Sequence, residues 1–113
     1  MWLLDANMDV HLIPLLAELG VPSESAIHRG WRDLVNGELV AAAVATGFDC
    51  LLTQDRRFVE SASAALRANP MLAVVVVALP QRPWRQYLEE FRVAWETAPI
   101  RPIAGETLTW PAQ

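Results

Sequence analysis

Three carboxylates in this chain, Asp5, Glu38 and Asp55, lie tens of residues apart but in positions where alternating strands and helices could gather them. Asp5 closes the apolar run "WLLD" at 2–5. Asp55 follows "CLLT" at 50–53 by two positions, and Glu38 falls in the first turn of the helical run that opens at Asn36. Clustered carboxylates suit hard divalent cations such as Mg²⁺ or Mn²⁺, and a cation held with open positions activates water toward phosphodiesters. Two carboxylates about 4 Å apart repel by roughly 4 kcal/mol at an effective dielectric near 20. Convergence of all three therefore calls for a compensating cation in a marginally stable domain.

Each acid also has a structural reading. Asp5 and Asp55 can cap the turns that follow them, and Glu38 interacts favourably with a helix dipole whatever its function. With Asn36 as the N-cap, Leu39 takes the third helical position, so Glu38 is not expected to close a capping box. If repulsion dominates at Asp5, Asp5→Asn stabilises the metal-free fold; if capping dominates, it destabilises it.

Neighbouring residues extend the candidate site. Asn7 follows Asp5, and Arg56 and Arg57 directly follow Asp55. Arg29 and Arg32 flank Trp31 in the segment before Asn36. The arginines can steer a phosphate backbone, and Trp31 can stack on an unpaired base or pack onto its own domain. His11 and His28 show no metal-ligand spacing with each other or with Cys50. Asp9 reads as a first-turn or solvated residue, and Asp49, at the start of its strand, lies at the wrong sheet edge.

The elements that must carry these residues follow from periodicity. Residues 2–5 read as a short buried strand. Met8, Leu12, Leu15, Leu16 and Leu19 share one helical face, with Pro14 marking either a kink or the first turn, and Gly20 a stop. "SAIH" at 25–28 is a weak second strand, and Asn36 opens the helix "GELVAAAVATGF". "DCLLT" at 49–53 is a third strand, followed by a helix from about Arg56 to Ala68. "LAVVVVAL" at 72–79 has the two-sided apolar pattern of a central parallel strand. Trp84, Tyr87, Leu88, Phe91 and Trp95 form a helical stripe that belongs to the core or to a dimer face. Residues 99–113 read as a Pro-bounded loop with an edge strand at 106–110. This alternation predicts one three-layer α/β domain over 1–113, with a mostly parallel sheet flanked by helices.

Composition narrows the chemistry. All nine basic residues are arginine, so Schiff-base chemistry, P-loop clamps and aspartyl-phosphate chemistry of the receiver type, which needs a lysine, are excluded. A formal charge of −4 argues against broad nucleic-acid binding through a basic surface. Asp5 and Asp9 interrupt the N-terminal apolar stretch, so no secretory signal is expected, and no apolar run is long enough for a bilayer. The single cysteine, Cys50, fits a reducing cytoplasm.

With these residues in place, the chain resembles the PIN-like ribonuclease domains, in particular a compact toxin-type group whose openings are of the "LLDEN" type. "LLDAN" is similar at Asp5 and Asn7, "GWRDLVNGEL" resembles the Gly-Trp loop and "NGEL" box at Glu38, and "LLTQDRRF" resembles the "LLTxDxxF" box at Asp55. The resemblance spans nearly the whole chain. It implies a metal-dependent endoribonuclease in which Asp5, Glu38 and Asp55 bind Mg²⁺ or Mn²⁺ and carry catalysis. Asn7, Asn36, Arg56, Arg57 and Trp31 would then contact single-stranded RNA. It further implies a homodimer and an antitoxin protein as partner. Ala6 stands where the group has Glu, and Asn36 where many relatives carry Asp. The competing expectation is a module of the same fold with a weak or inactive pocket that works through protein binding.

Overall fold

The computed structural model describes residues 1–112. These residues form five strands and four helices in alternation: β1 (Trp2–Leu4), α1 (Leu12–Glu18), β2 (Ser23–Ser25), α2 (Asn36–Thr46), β3 (Cys50–Thr53), α3 (Phe58–Ala68), β4 (Ala73–Val77), α4 (Trp84–Thr97) and β5 (Thr107–Trp110). The strands make one sheet in the order β2-β1-β3-β4-β5, and every pairing is parallel. The expected three-layer α/β domain is therefore what the chain adopts.

Side-chain alternation along the strands builds the two layers beside the sheet. Leu4, Leu52, Val75 and Val77 face one side, where they meet Leu12, Leu15 and Leu16 of α1 and Tyr87 and Phe91 of α4. Leu3, Leu51 and Val74 face the other, against Leu39, Val40 and Ala43 of α2 and Phe58 and Ala62 of α3. All of β3 and β4 is buried, as strands covered on both faces require. The aromatic stripe of α4 divides: Tyr87 and Phe91 are buried, Trp95 packs near Trp2, Phe91 and Trp110, and Trp84 remains exposed.

Boundaries differ from expectation where local chemistry outweighs hydrophobic pattern. Helix α1 starts at Leu12 rather than Met8, because the Asp9 carboxylate accepts the His11 N–H and turns the chain first. Pro14 then falls in the first turn, where its missing N–H leaves no intrahelical bond unmade. The second strand is "SES" rather than "SAIH". Ser25 Oγ accepts the Ile27 N–H and bends the chain out of the sheet at that point. As a polar edge strand, β2 carries little hydrophobic signature. Among the described residues, no helix is long and apolar enough to cross a membrane.

Cys50, at the start of β3, is buried within the α1/α4 layer. Burial, reinforced by the nearby Asp49 carboxylate, pushes its thiol from the ordinary 9.0 up to about 12. An unfolded chain therefore releases this proton first. The thiol's contribution to stability is complete below about pH 9 and is lost as pH rises toward 12, with a slope on the order of 1 kcal/mol per pH unit. Tyr87, raised by its own burial, acts in the same direction. Urea unfolding between pH 8 and 11 should show wild type losing stability faster than Cys50→Ala; parallel curves would refute the assignment.

Candidate functional site

Parallel order fixes where a site can form. From β1 the chain moves to β2 on one side, then crosses back to place β3 on the other. A crevice opens outside the carboxyl ends of the strands at such a reversal, and ligands of doubly wound sheets bind there. Asp5 lies at the carboxyl end of β1 and Asp55 two residues past β3. The reversal thus sits between the strands that deliver these two acids.

Thr53 joins them. Leu4 pairs with Leu52, and the Asp5 N–H donates to the Leu52 carbonyl at 2.9 Å, so the ladder runs one step beyond β1. Asp5 is thereby set beside Thr53, and the Thr53 hydroxyl donates to Asp5 Oδ2 at 2.7 Å. Thr53 Oγ1 in turn accepts the Asp55 N–H at 3.1 Å and the Asn7 side-chain amide at 3.3 Å. Asp5 Oδ1 accepts the Ala6 N–H at 2.7 Å. Asp5 and Thr53 are both buried.

Asp55 is held from two directions. Its Oδ1 accepts the Arg57 N–H at 2.9 Å, which turns the chain into α3. Its Oδ2 accepts Asn36 Nδ2 at 3.2 Å, and the same amide donates to Ser61 Oγ of α3 at 2.6 Å. Asp55 is therefore not the N-cap of α3, a position that Arg57 holds; one of its oxygens closes the turn before the helix and the other binds Asn36. Asn7 Oδ1 accepts the Gln54 N–H at 3.1 Å, and Gln54 Nε2 donates to the Tyr87 hydroxyl at 3.0 Å. Gln81 donates to Gln54 Oε1 from beyond β4. One polar network thereby connects β1, β3 and all but the first helix.

Glu38 stands apart from it. Val35, not Asn36, occupies the N-cap of α2, which makes Glu38 the third helical residue. Its Oε1 accepts the Val35 N–H at 3.1 Å, the acid's half of a capping box. The exclusion of that motif expected from the sequence fails because the helix starts one residue earlier. Asn36 is consequently free of cap duty and reaches Asp55. Among the described residues, no group of three His, Cys, Asp or Glu side chains is arranged to hold a metal ion.

The remaining sequence candidates separate. Arg56 and Arg57 are exposed beside Asp55, and neither belongs to an ion pair among the described residues. Trp31 packs edge-on to Phe48, the residue two positions before β3, and lies partly buried against the α2/α3 layer. Arg29 lies over both rings and pairs with Glu24 at 2.9 Å. Packing onto its own domain is thus the contact that Trp31 makes in this structure. Thr53, Gln54 and Ser61 were not singled out by sequence, and Tyr87 only as part of the apolar stripe of α4. Only Thr53, as the last residue of "LLT", carried a signal.

The donor set fits a hard cation. Each oxygen of Asp5 and Asp55 accepts one protein hydrogen bond, and a carboxylate oxygen has room for a second partner. The remaining nearby groups are amides and hydroxyls, which suit Mg²⁺ or Mn²⁺ better than softer metals. Comparison of the chain with protein-family models, curated proteins and solved structures gives no match.

Hydrogen bonding reverses one expectation from repulsion alone. Both Asp5 oxygens face donors, and Thr53 Oγ1 already accepts twice, so its proton can go only to Asp5. An amide nitrogen at position 5 would meet a donor on either side. Asp5→Asn should therefore destabilise the metal-free protein by about 1–3 kcal/mol, and Thr53→Val by a similar amount. Thr53→Ser, which keeps the hydroxyl, should lose only about 1 kcal/mol for its methyl group. Urea denaturation in EDTA checks all three; a more stable Asp5→Asn would overturn the network.

Proposed function

We propose that the chain is a metal-dependent endoribonuclease whose cation is held by Asp5 and Asp55 at the reversal between β1 and β3. The observation that carries this reading is the Thr53 hydroxyl, which ties a buried Asp5 to the backbone of Asp55 at the carboxyl ends of adjacent parallel strands. Mg²⁺ commonly takes one or two carboxylates and completes its shell with water and substrate oxygens, so two acids suffice to bind it. Bound there, the cation supplies a polarised phosphodiester and an activated water.

The chain's own groups do the rest. Asp5 and Asp55 are pre-oriented by their hydrogen bonds, which lowers the cost of ordering them around a ligand. Arg56 and Arg57, exposed beside Asp55, offset the charge of an incoming phosphate backbone. In this reading the protein works in a reducing cytoplasm, where the free thiol of Cys50 persists. It acts as a homodimer whose activity an antitoxin protein restrains.

A second reading is favoured by one observation: Glu38 is committed to its helix cap rather than to the acids. On that reading the pocket is catalytically weak or inactive, and the chain acts through protein binding. Thermal denaturation with and without Mn²⁺ separates the two. A cation that binds only the folded state adds about 2.7 kcal/mol at a hundredfold excess over Kd, so a rise of several degrees is expected. That rise should vanish in Asp55→Asn, along with Mn²⁺-dependent cleavage of single-stranded RNA. No rise and no cleavage in the wild type would favour the binding module.

A further inference from the structure

Helices α1 and α4 lie on the same face of the sheet, and a cleft of about 620 Å³ runs between them. Its mouth is formed by His11, just before α1, and Trp84, the first residue of α4. Both follow strands that end at the Asp5 edge, so the cleft opens onto the same rim as the acids. Gln54 bridges the two regions, with its N–H on Asn7 and its side chain on Tyr87, one turn beyond Trp84.

The mouth is a prepared aromatic surface. The imidazole of His11 stacks on the indole of Trp84 with ring centres 3.9 Å apart and planes 9° from parallel. Asp9 Oδ1 fixes the imidazole in its plane, 2.7 Å from Nδ1. The Arg85 guanidinium lies 4.6 Å from the indole centre. Folding gives no core-packing reason for this stack, because the His11 side chain is 46% exposed and Trp84 37%. Below the rings, Leu15 and Leu88 give the cleft apolar walls, and Glu18 is neutralised by Arg92 at 2.8 Å. Glu89 also lines the cleft and joins no ion pair among the described residues.

We infer that this cleft is a base-binding subsite for an unpaired guanine of a single-stranded RNA that passes over the Asp5–Asp55 edge. It rests on the reading above for the identity of the strand. Stacked rings offer any base a platform, and the volume is in the range of small-molecule sites. A free carboxylate accepts both N–H groups of the guanine Watson–Crick edge, whereas uracil offers one. Arg85, at the mouth, meets the phosphate of the inserted nucleotide.

Fluorescence anisotropy with labelled rUUUGUUU and rUUUUUUU in EDTA, where no strand is cut, tests the inference. Wild type should prefer the guanine strand about 5- to 150-fold, the range of one good bidentate contact. His11→Ala should weaken the guanine strand by about 5- to 150-fold, the range for losing a stacking partner. Glu89→Gln, an exposed substitution, should erase the preference for rUUUGUUU over rUUUUUUU. Trp84→Phe should keep more affinity than Trp84→Ala, because a ring still backs the imidazole. Equal binding of the two strands by wild type overturns the inference, as do His11→Ala and Glu89→Gln proteins that bind as wild type. Free GMP competing as well as the guanine strand overturns the RNA assignment in favour of a mononucleotide pocket. A calorimetric Mn²⁺ titration reads the other proposal separately. Silence there with the guanine preference intact removes the metal site and leaves the subsite standing.

Discussion

One hydroxyl group organises the edge of this sheet on which any function must be built. Thr53 Oγ1 donates once, to Asp5, and accepts twice, from Asn7 and from the Asp55 backbone. That uses its single proton and both lone pairs. The arrangement exists only in the observed β1–β3 register. Side chains alternate faces with a period of two, so a slip by one residue would send Thr53 to the opposite layer. The apolar residues around it secure that register, since Leu3 and Leu51 fill one core layer while Leu4 and Leu52 fill the other. Hydrophobic pairing in the strands thus determines which polar atoms meet beyond them.

Each flanking layer then contributes a different part of the rim. From the α2/α3 side come Asn36 and Ser61, which hold Asp55. From the α1/α4 side come Tyr87, Gln81 and the His11–Trp84 stack, with Gln54 as the link back to Asn7. The acids are therefore supported laterally by helices that pack on opposite faces of one sheet. A doubly wound topology brings residues this distant in sequence to one line without any long loop.

The layered architecture was legible in the sequence because its strands are apolar on both sides and its helices periodic. "VVVV" in β4 and the Tyr87–Phe91 spacing in α4 leave few alternatives. What escaped was chemistry that competes with pattern. Ser25 and Asp9 each bond a backbone N–H two residues on, which moved the end of β2 and the start of α1. The cap of α2 escaped for a different reason: Val35 has no capping side chain, and nothing in its type marks the position. Within the site, Asp5, Asn7, Asn36 and Asp55 could be read from their places at strand ends and helix starts. Ser61 could not, since its role depends on how α3 lies against α2. Trp31 was ambiguous between base and core, and its packing on Phe48 depends on a position that sequence alone does not give.

Repulsion between carboxylates first suggested a cation, but the protein itself supplies much of the compensation. Four donors point at the two aspartates: Thr53 and the Ala6 N–H at Asp5, Asn36 and the Arg57 N–H at Asp55. Hydrogen bonds to ionised groups are stronger than neutral ones, so these acids can converge in the metal-free chain without destabilising it. The same donors leave each oxygen one open acceptor site and fix its direction, which is the preorganisation a weakly coordinating site requires. Glu38 is in the opposite condition. Bringing it to the aspartates means giving up its bond to the Val35 N–H, at a cost on the order of 1 kcal/mol. In the metal-free chain the third acid is therefore part of the helix that carries it rather than of the aspartate network.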